Sequence, residues 1–310
     1  MTPAPPTAAD PALPVPALRQ PVLLLGMHRS GTSLIARVLD ALGLFQGADL
    51  QDDHESMTFL EFNDRLLRRI GASWDNPTPC RPFLENERAL ELTARCFAAD
   101  ATGRHIKPYL GLRRYLKLRS PTRLDSPWGW KDPRTVFTLP AWLKVFPGAK
   151  LVYIVRNGID VAASLRVREQ RELDRRLAEL PAKLKQLNKN SMLDRAGFKG
   201  SSRCLSLAGG FALWEEYVAE AERLLAAVPN ERLVVRYEQF LQNPAEGLPE
   251  LAAFCGLSAS PDALRQAAAT VNAGRMNAFL GDRELKAFYE QVRQTEWMRR
   301  YAYHQLAGAD

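Results

Sequence analysis

Short, unbroken apolar runs that end in a glycine-bearing turn recur along the chain, and each is followed by apolar residues at helical spacing. The first run, Pro21–Leu25, stops at Gly26. Leu34, Ile35, Val38, Leu39 and Leu42 then fall on one face of a helix, with Gly43 as its stop signal. The second unit is LVYIVRNGIDVAASL, residues 151–165. Five apolar residues predict a buried strand, and Arg156-Asn157-Gly158 turns the chain. Asn157 or Asp160 caps a helix carrying Val161, Ala162 and Leu165. Further strands are expected at Leu233–Val235 and, more weakly, near Trp128–Trp130. Strands alternating with helices predict an α/β fold: a central parallel sheet with helices on both faces, in three layers.

Two stretches depart from this rhythm. Residues 1–20 are rich in Pro and Ala, with neither a charged leader nor an unbroken apolar run, and read as a disordered tail preceding one domain over 21–310. Residues 166–203 are dense in Arg and Lys and poor in large apolar groups. They read either as a solvated helix pair broken at Pro181 or as a basic lid over an anionic ligand. The segment from Pro261 reads as helices around the turn Asn272-Ala273-Gly274.

Composition narrows the class. A net charge of +7 over 310 residues suits anionic small-molecule partners but is too dilute to argue for nucleic acid. Cys80, Cys96, Cys204 and Cys255 form no paired motif, so reduced thiols in a cytoplasmic protein are expected, with no metal site. No apolar stretch is long enough to predict a membrane span. Oligomeric state has no signature in the sequence.

The chemistry concentrates in GMHRSGTS, residues 26–33. Gly26, Gly31 and Ser33 keep the spacing of a nucleoside-triphosphate loop, but Thr32 stands where that loop has its Lys. In a strand-to-helix turn the glycines let the backbone approach an anion. Ser30, Thr32 and Ser33 add hydroxyls, and Arg29 adds a fixed positive charge. Such a loop suits holding a phosphate and stabilising a leaving group better than cutting a γ-phosphate. At the second turn, Arg156 at a strand's carboxyl end and Ser164 in the next helix are placed to grip a second phosphate.

GMHRSGTS, LVYIVRNGIDVAASL, WGWKDPRT (128–135) and LVVRYEQFLQNP (233–244) together resemble the sulfotransferases that use 3′-phosphoadenosine 5′-phosphosulfate (PAPS), in particular bacterial carbohydrate- or small-molecule-type members. The resemblance spans roughly residues 21–257 and implies a P-loop-like topology. It implies that GMHRSGTS is the 5′-phosphosulfate loop, with Arg29, Ser30, Gly31, Thr32 and Ser33 as donor contacts. By the same resemblance Arg156 and Ser164 hold the 3′-phosphate, Tyr237 contacts the adenine and Lys131 contacts the transferring group. Glu55, eight residues before Asn63, is the implied general base, although the Gly-aromatic pair usual before it is absent; His54 is its rival. Arg275 is the implied basic residue of a late loop closing over the 3′-phosphate. Transfer is then direct and in line to an acceptor hydroxyl, without covalent intermediate or metal.

Two other classes remain open on sequence. A phosphoryl transferase would need a loop Lys and a carboxylate for Mg²⁺, and Thr32 counts against it. A non-enzymatic anion- or nucleic-acid-binding module is the alternative suggested by residues 166–203.

Overall fold

The computed structural model describes residues 19–185, 191–193, 197–272, 274 and 276–306. Four parallel strands form its sheet: β1 (Val22–Leu25), β2 (Gly129–Lys131), β3 (Lys150–Val155) and β4 (Arg232–Arg236), in the order β2-β1-β3-β4. The first strand begins one residue later than the apolar run suggests. Pro21 has no N–H to give a ladder, but its carbonyl accepts from the N–H of Lys150 at 2.9 Å.

Side-chain alternation along β1 explains the layering. Val22 and Leu24 join Val152 and Ile154 under α1 (Thr32–Ala41) and the later helices Pro244–Phe254 and Pro261–Ala269. Leu23 and Leu25 point the other way with Leu151, Tyr153 and Val155. They meet α2 (Met57–Arg69), α4 (Glu87–Thr102), α6 (Thr135–Val145), α7 (Gly158–Leu184) and α8 (Leu207–Ala227) in the larger core. The remaining early helices are α3 (Cys80–Glu85) and α5 (Lys107–Leu118). Helices thus cover both faces, as a fully parallel sheet requires. The fold is a three-layer α/β sandwich of the P-loop-like type.

Strand order also fixes where a ligand goes. From β1 the chain crosses to β2 on one side and returns to β3 on the other. The carboxyl ends of β1 and β3 therefore flank a topological switch point, where the crossing connections leave a crevice. GMHRSGTS follows β1 and RNGID follows β3, so both turns open there.

The stretch after β3 differs from the expectation of a helix pair broken at Pro181. α7 is continuous over Gly158–Leu184 and carries Pro181 within its last turn and a half. Arg175 pairs with Glu172 and Glu179, and Lys183 reaches Glu179 at 2.6 Å across the proline. Side-chain pairs three and four residues apart hold the helix through the missing N–H. Its charges are largely spent within the helix, which favours the solvated-face reading over a lid for residues 166–185. Residues 186–190 and 194–196 lie outside the described residues, as do Ala273 and Arg275. Among the described residues no helix is long and apolar enough to cross a membrane, and the four cysteines are unpaired.

A buried amide ties α2 to the β2–α6 connection. Asn63 donates to Asp132 Oδ2 at 2.7 Å and to Thr135 Oγ1 at 3.1 Å. Its oxygen accepts from Thr138 Oγ1 and Trp142 Nε1, both at 2.8 Å. Every hydrogen-bonding position of the amide is used. Asn63→Leu keeps the volume and takes a hydrogen bond from each of four buried groups, Asp132, Thr135, Thr138 and Trp142. It should lower unfolding free energy by at least ~2 kcal/mol, measured by urea denaturation; a change below about 0.5 kcal/mol would contradict this account.

Candidate active site

The loop after β1 is shaped by positive φ at three residues: Gly26 (148°), Arg29 (69°) and Gly31 (95°). A Cβ on Gly26 would stand 2.5 Å from the Ile154 carbonyl oxygen, and one on Gly31 would stand 2.2 Å from the Tyr237 ring. Neither side chain has room, so the glycines are demanded by packing as well as by conformation. Ser30 turns inward: its hydroxyl donates to the Met27 carbonyl at 2.6 Å, and it shapes the loop instead of lining the cleft. Gly31 ends the loop without a side-chain cap on α1. An uncapped helix N-terminus presents N–H groups and a positive dipole end to the crevice.

Around this loop a cleft of about 230 Å³ is lined by His28, Arg29, Gly31, Thr32, Ser33, Leu34, Arg37, Asp53, Glu55, Lys131, Arg156, Ser164, Arg168 and Tyr237. The two turns, whose arginines Arg29 and Arg156 are 127 residues apart in sequence, touch directly. Arg29 Nε donates to Ser164 Oγ at 2.9 Å, and Arg156 Nη1 donates to the Arg29 carbonyl at 3.2 Å. The Arg156 guanidinium also lies 4.8 Å from the Tyr237 ring centroid and pairs with Asp160 at 3.1 Å. Tyr237 is thus the floor under both Gly31 and Arg156.

Lys131 ends β2 and is 2% exposed. Its Nζ donates to Glu55 Oε1 at 2.7 Å, to the Asp53 carbonyl at 3.2 Å and to Ser33 Oγ at 3.3 Å. Those three bonds use all three ammonium protons. Glu55 precedes the α2 N-cap, Ser56, and so lies outside the helix's first turn; the residue is 4% exposed, and its carboxylate also faces Arg134 at 3.7 Å. Burial pushes the Glu55 carboxyl up to about 7; the Lys131 ammonium opposes that rise, and the charges of Asp132 and Asp53 add to it. His54, the rival base, faces Asp40 at 3.5 Å and does not line the cleft.

Several lining residues carry no signal as single letters in the sequence. His28 packs edge-on against Trp74 at 4.9 Å, and Arg168 covers the Trp74 ring at 4.6 Å. Burial, with Arg134, Arg168, Lys131 and Arg29 adding, holds the His28 imidazole well below its ordinary pKa, so it is neutral. Arg134 is fixed by Asp132 at 2.9 Å, which Asn63 holds in turn. Arg134 sits inside WGWKDPRT, and Asn63 marks the spacing by which Glu55 was reached. Arg168 is hidden in a charge-dense stretch and Asp53 in a loop, and only the tertiary fold brings them in.

The sequence profile of the sulfotransferase family matches residues 21–178, just over half the chain and both phosphate-suited turns. The chain belongs to the sulfotransferase family. A search of curated proteins found no match. Among solved structures, the sulfotransferase domain from the curacin biosynthetic pathway is 15% identical, over 90% of this chain and 99% of that one, with a TM-score of 0.49. A sulfotransferase from Mycobacterium tuberculosis H37Rv is 19% identical over 83% of this chain and 72% of its own, with a TM-score of 0.40. Retinol dehydratase, solved with androsterone and inactive cofactor PAP, is 18% identical over 93% and 80%, with a TM-score of 0.33. The strand order and the profile match, not these distant likenesses, carry the assignment of this sulfotransferase.

The raised Glu55 carboxyl of this sulfotransferase has a measurable consequence. In the unfolded chain Glu55 ionises near its ordinary value of 4.5, while the folded protein keeps the proton until about 7. Between those values the folded state binds more protons, so this group's contribution to stability falls as pH rises. Relative to Glu55→Gln, the parent should therefore lose stability between pH 5 and pH 8 in parallel denaturation series. A difference that grows in the parent's favour over that range would show Glu55 to be an ordinary, low-pKa ion-pair partner.

Proposed function

We propose that this sulfotransferase moves a sulfuryl group from PAPS to an acceptor hydroxyl on a sugar, lipid or small molecule, and that residues 21–310 act as one catalytic unit. The observation that carries the reading is the meeting of two phosphate-suited turns at one switch point, with a buried lysine and a buried carboxylate beside the first. A donor with phosphates at both ends of its ribose is matched by two such turns; a mononucleotide is not.

In this reading the 5′-phosphosulfate lies on GMHRSGTS. The backbone at Gly31 and the hydroxyls of Thr32 and Ser33 hold it, and Ser30 keeps the loop's shape. Ser33 Oγ accepts from Lys131, which leaves its own proton to donate to the donor. Arg156 and Ser164 take the 3′-phosphate, and Tyr237 lies beside the adenosine. Arg275, outside the described residues, keeps its expected role as a closing contact.

The acceptor oxygen attacks sulfur along the line of the sulfur–oxygen bond to the 5′-phosphate. As that bond breaks, its electron pair goes to the bridging oxygen, where Arg29 and Lys131 neutralise the charge. The acceptor's proton passes to Glu55. A carboxyl pushed up to about 7 is matched to that task near neutral pH, being still ionised in good part and no longer a weak base. The chemistry needs no metal, and the cleft's cations supply the charge that a metal would.

Turnover of labelled PAPS against a panel of hydroxyl acceptors tests the activity; failure with every acceptor class, in a protein that binds no adenosine 3′,5′-bisphosphate, would remove the reading. Two variants test the residues. Arg156→Ala should weaken adenosine 3′,5′-bisphosphate by ~10- to 150-fold in calorimetry while sparing adenosine 5′-monophosphate. Equal losses for both nucleotides would take Arg156 off the 3′-phosphate. Glu55→Gln should keep donor affinity and lose at least ~10² in kcat, along with the acid limb near pH 7. His54→Ala should leave kcat within about twofold of the parent. A fully active Glu55→Gln would place the base elsewhere.

A further inference from the structure

We infer that Asp160 and Glu238 are positioning residues that make the C-terminal part of the chain a support of the 3′-phosphate turn. The inference rests on the reading of Arg156 as the 3′-phosphate's partner.

Both carboxylates are buried, and neither lines the cleft. Each is bonded in two directions. Asp160 Oδ2 stands 3.1 Å from Arg156 Nη2, and its Oδ1 accepts the backbone N–H of Phe279 at 3.0 Å. Glu238 Oε1 accepts the backbone N–H of Asn157, the residue after Arg156, at 2.9 Å. Its Oε2 accepts the hydroxyl of Tyr303 at 2.9 Å. One oxygen of each acid therefore holds the turn, and the other holds a segment 119 residues later for Asp160 and 65 residues later for Glu238.

A buried carboxylate beside an arginine that binds phosphate works against binding by like-charge repulsion. What it contributes instead is geometry. The guanidinium has a rigid fork of five N–H donors, and its value for phosphate depends on which edge faces the ligand. Asp160 fixes Nη2, the Arg29 carbonyl fixes Nη1, and the Tyr237 ring sets the plane. Phe279 keeps Asp160 from turning with its arginine. Glu238 does the same for the backbone at Asn157, whose side chain caps α7 through the N–H of Ile159 at 2.8 Å. That helix carries Ser164, so both partners of the 3′-phosphate are set by acids anchored in the C-terminal segment.

Asp160→Asn and Tyr303→Phe test this, each read by calorimetry with adenosine 3′,5′-bisphosphate and adenosine 5′-monophosphate. Asp160→Asn keeps an acceptor for Phe279 but sets an amide donor against Arg156. It should weaken the bisphosphate by at least ~10-fold and the monophosphate by less than about twofold. Tyr303→Phe, far milder for folding, should shift the same ratio in the same direction by about two- to fivefold. If both variants keep the parent's ratio, or weaken the two nucleotides equally, the positioning role is wrong and the acids are only structural. Should Asp160→Asn fail to fold, the Tyr303→Phe ratio decides alone. A parent with no preference for the bisphosphate would instead overturn the 3′-phosphate reading itself.

Discussion

The arrangement turns on a lysine ammonium buried at the end of a three-residue strand. Taking a charge out of water costs several kcal/mol unless its protons are met, and Lys131 meets them with a carboxylate, a carbonyl and a hydroxyl. The partners come from two separate parts of the chain: Glu55 and Asp53 from the approach to α2, Ser33 from α1. The ammonium thereby pins the loop before α2 against the helix that carries the phosphate loop. The site's first turn, its carboxylate and its cation are one electrostatic unit, not three independent residues.

That unit is itself held from behind. Arg134 faces Glu55 and is fixed by Asp132; Asp132 is fixed by Asn63, and Asn63 by Thr138 and Trp142 of α6. The series leads from the cleft into the aromatic core, where Trp130 stacks on Phe59 at 3.8 Å. A polar network inside a low-dielectric core is costly when incomplete and rigid when complete. Here it is complete at the amide, so the charged groups in the cleft inherit the rigidity of the core.

What could be read from the sequence follows the range of the interactions. The strands, the glycine-bearing loop and the capped turn at Asn157 are set by neighbours within a few residues, and they were legible. Glu55 and Lys131 were reached by the resemblance of their surroundings; nothing in their own spacing says that they meet at 2.7 Å. Asp53, Arg168 and the Asp160–Phe279 bond are contacts across the fold and leave no periodic trace. Pro181 misled because a local rule about backbone donors was outweighed by ion pairs one turn apart. The inward turn of Ser30 was equally hidden, since a hydroxyl in a phosphate-type loop reads the same whether it faces ligand or carbonyl.

The bond between Asp160 and the Phe279 backbone spans 119 residues and has a consequence for biogenesis. A ribosome adding ~5–20 residues per second needs about 6–24 s to deliver Phe279 after Asp160 has emerged. Throughout that interval the β1, β2 and β3 framework is already made, while the carboxylate beside Arg156 lacks its second partner. A chain cut short before residue 279 would carry every conspicuous motif of the site and still lack that anchor.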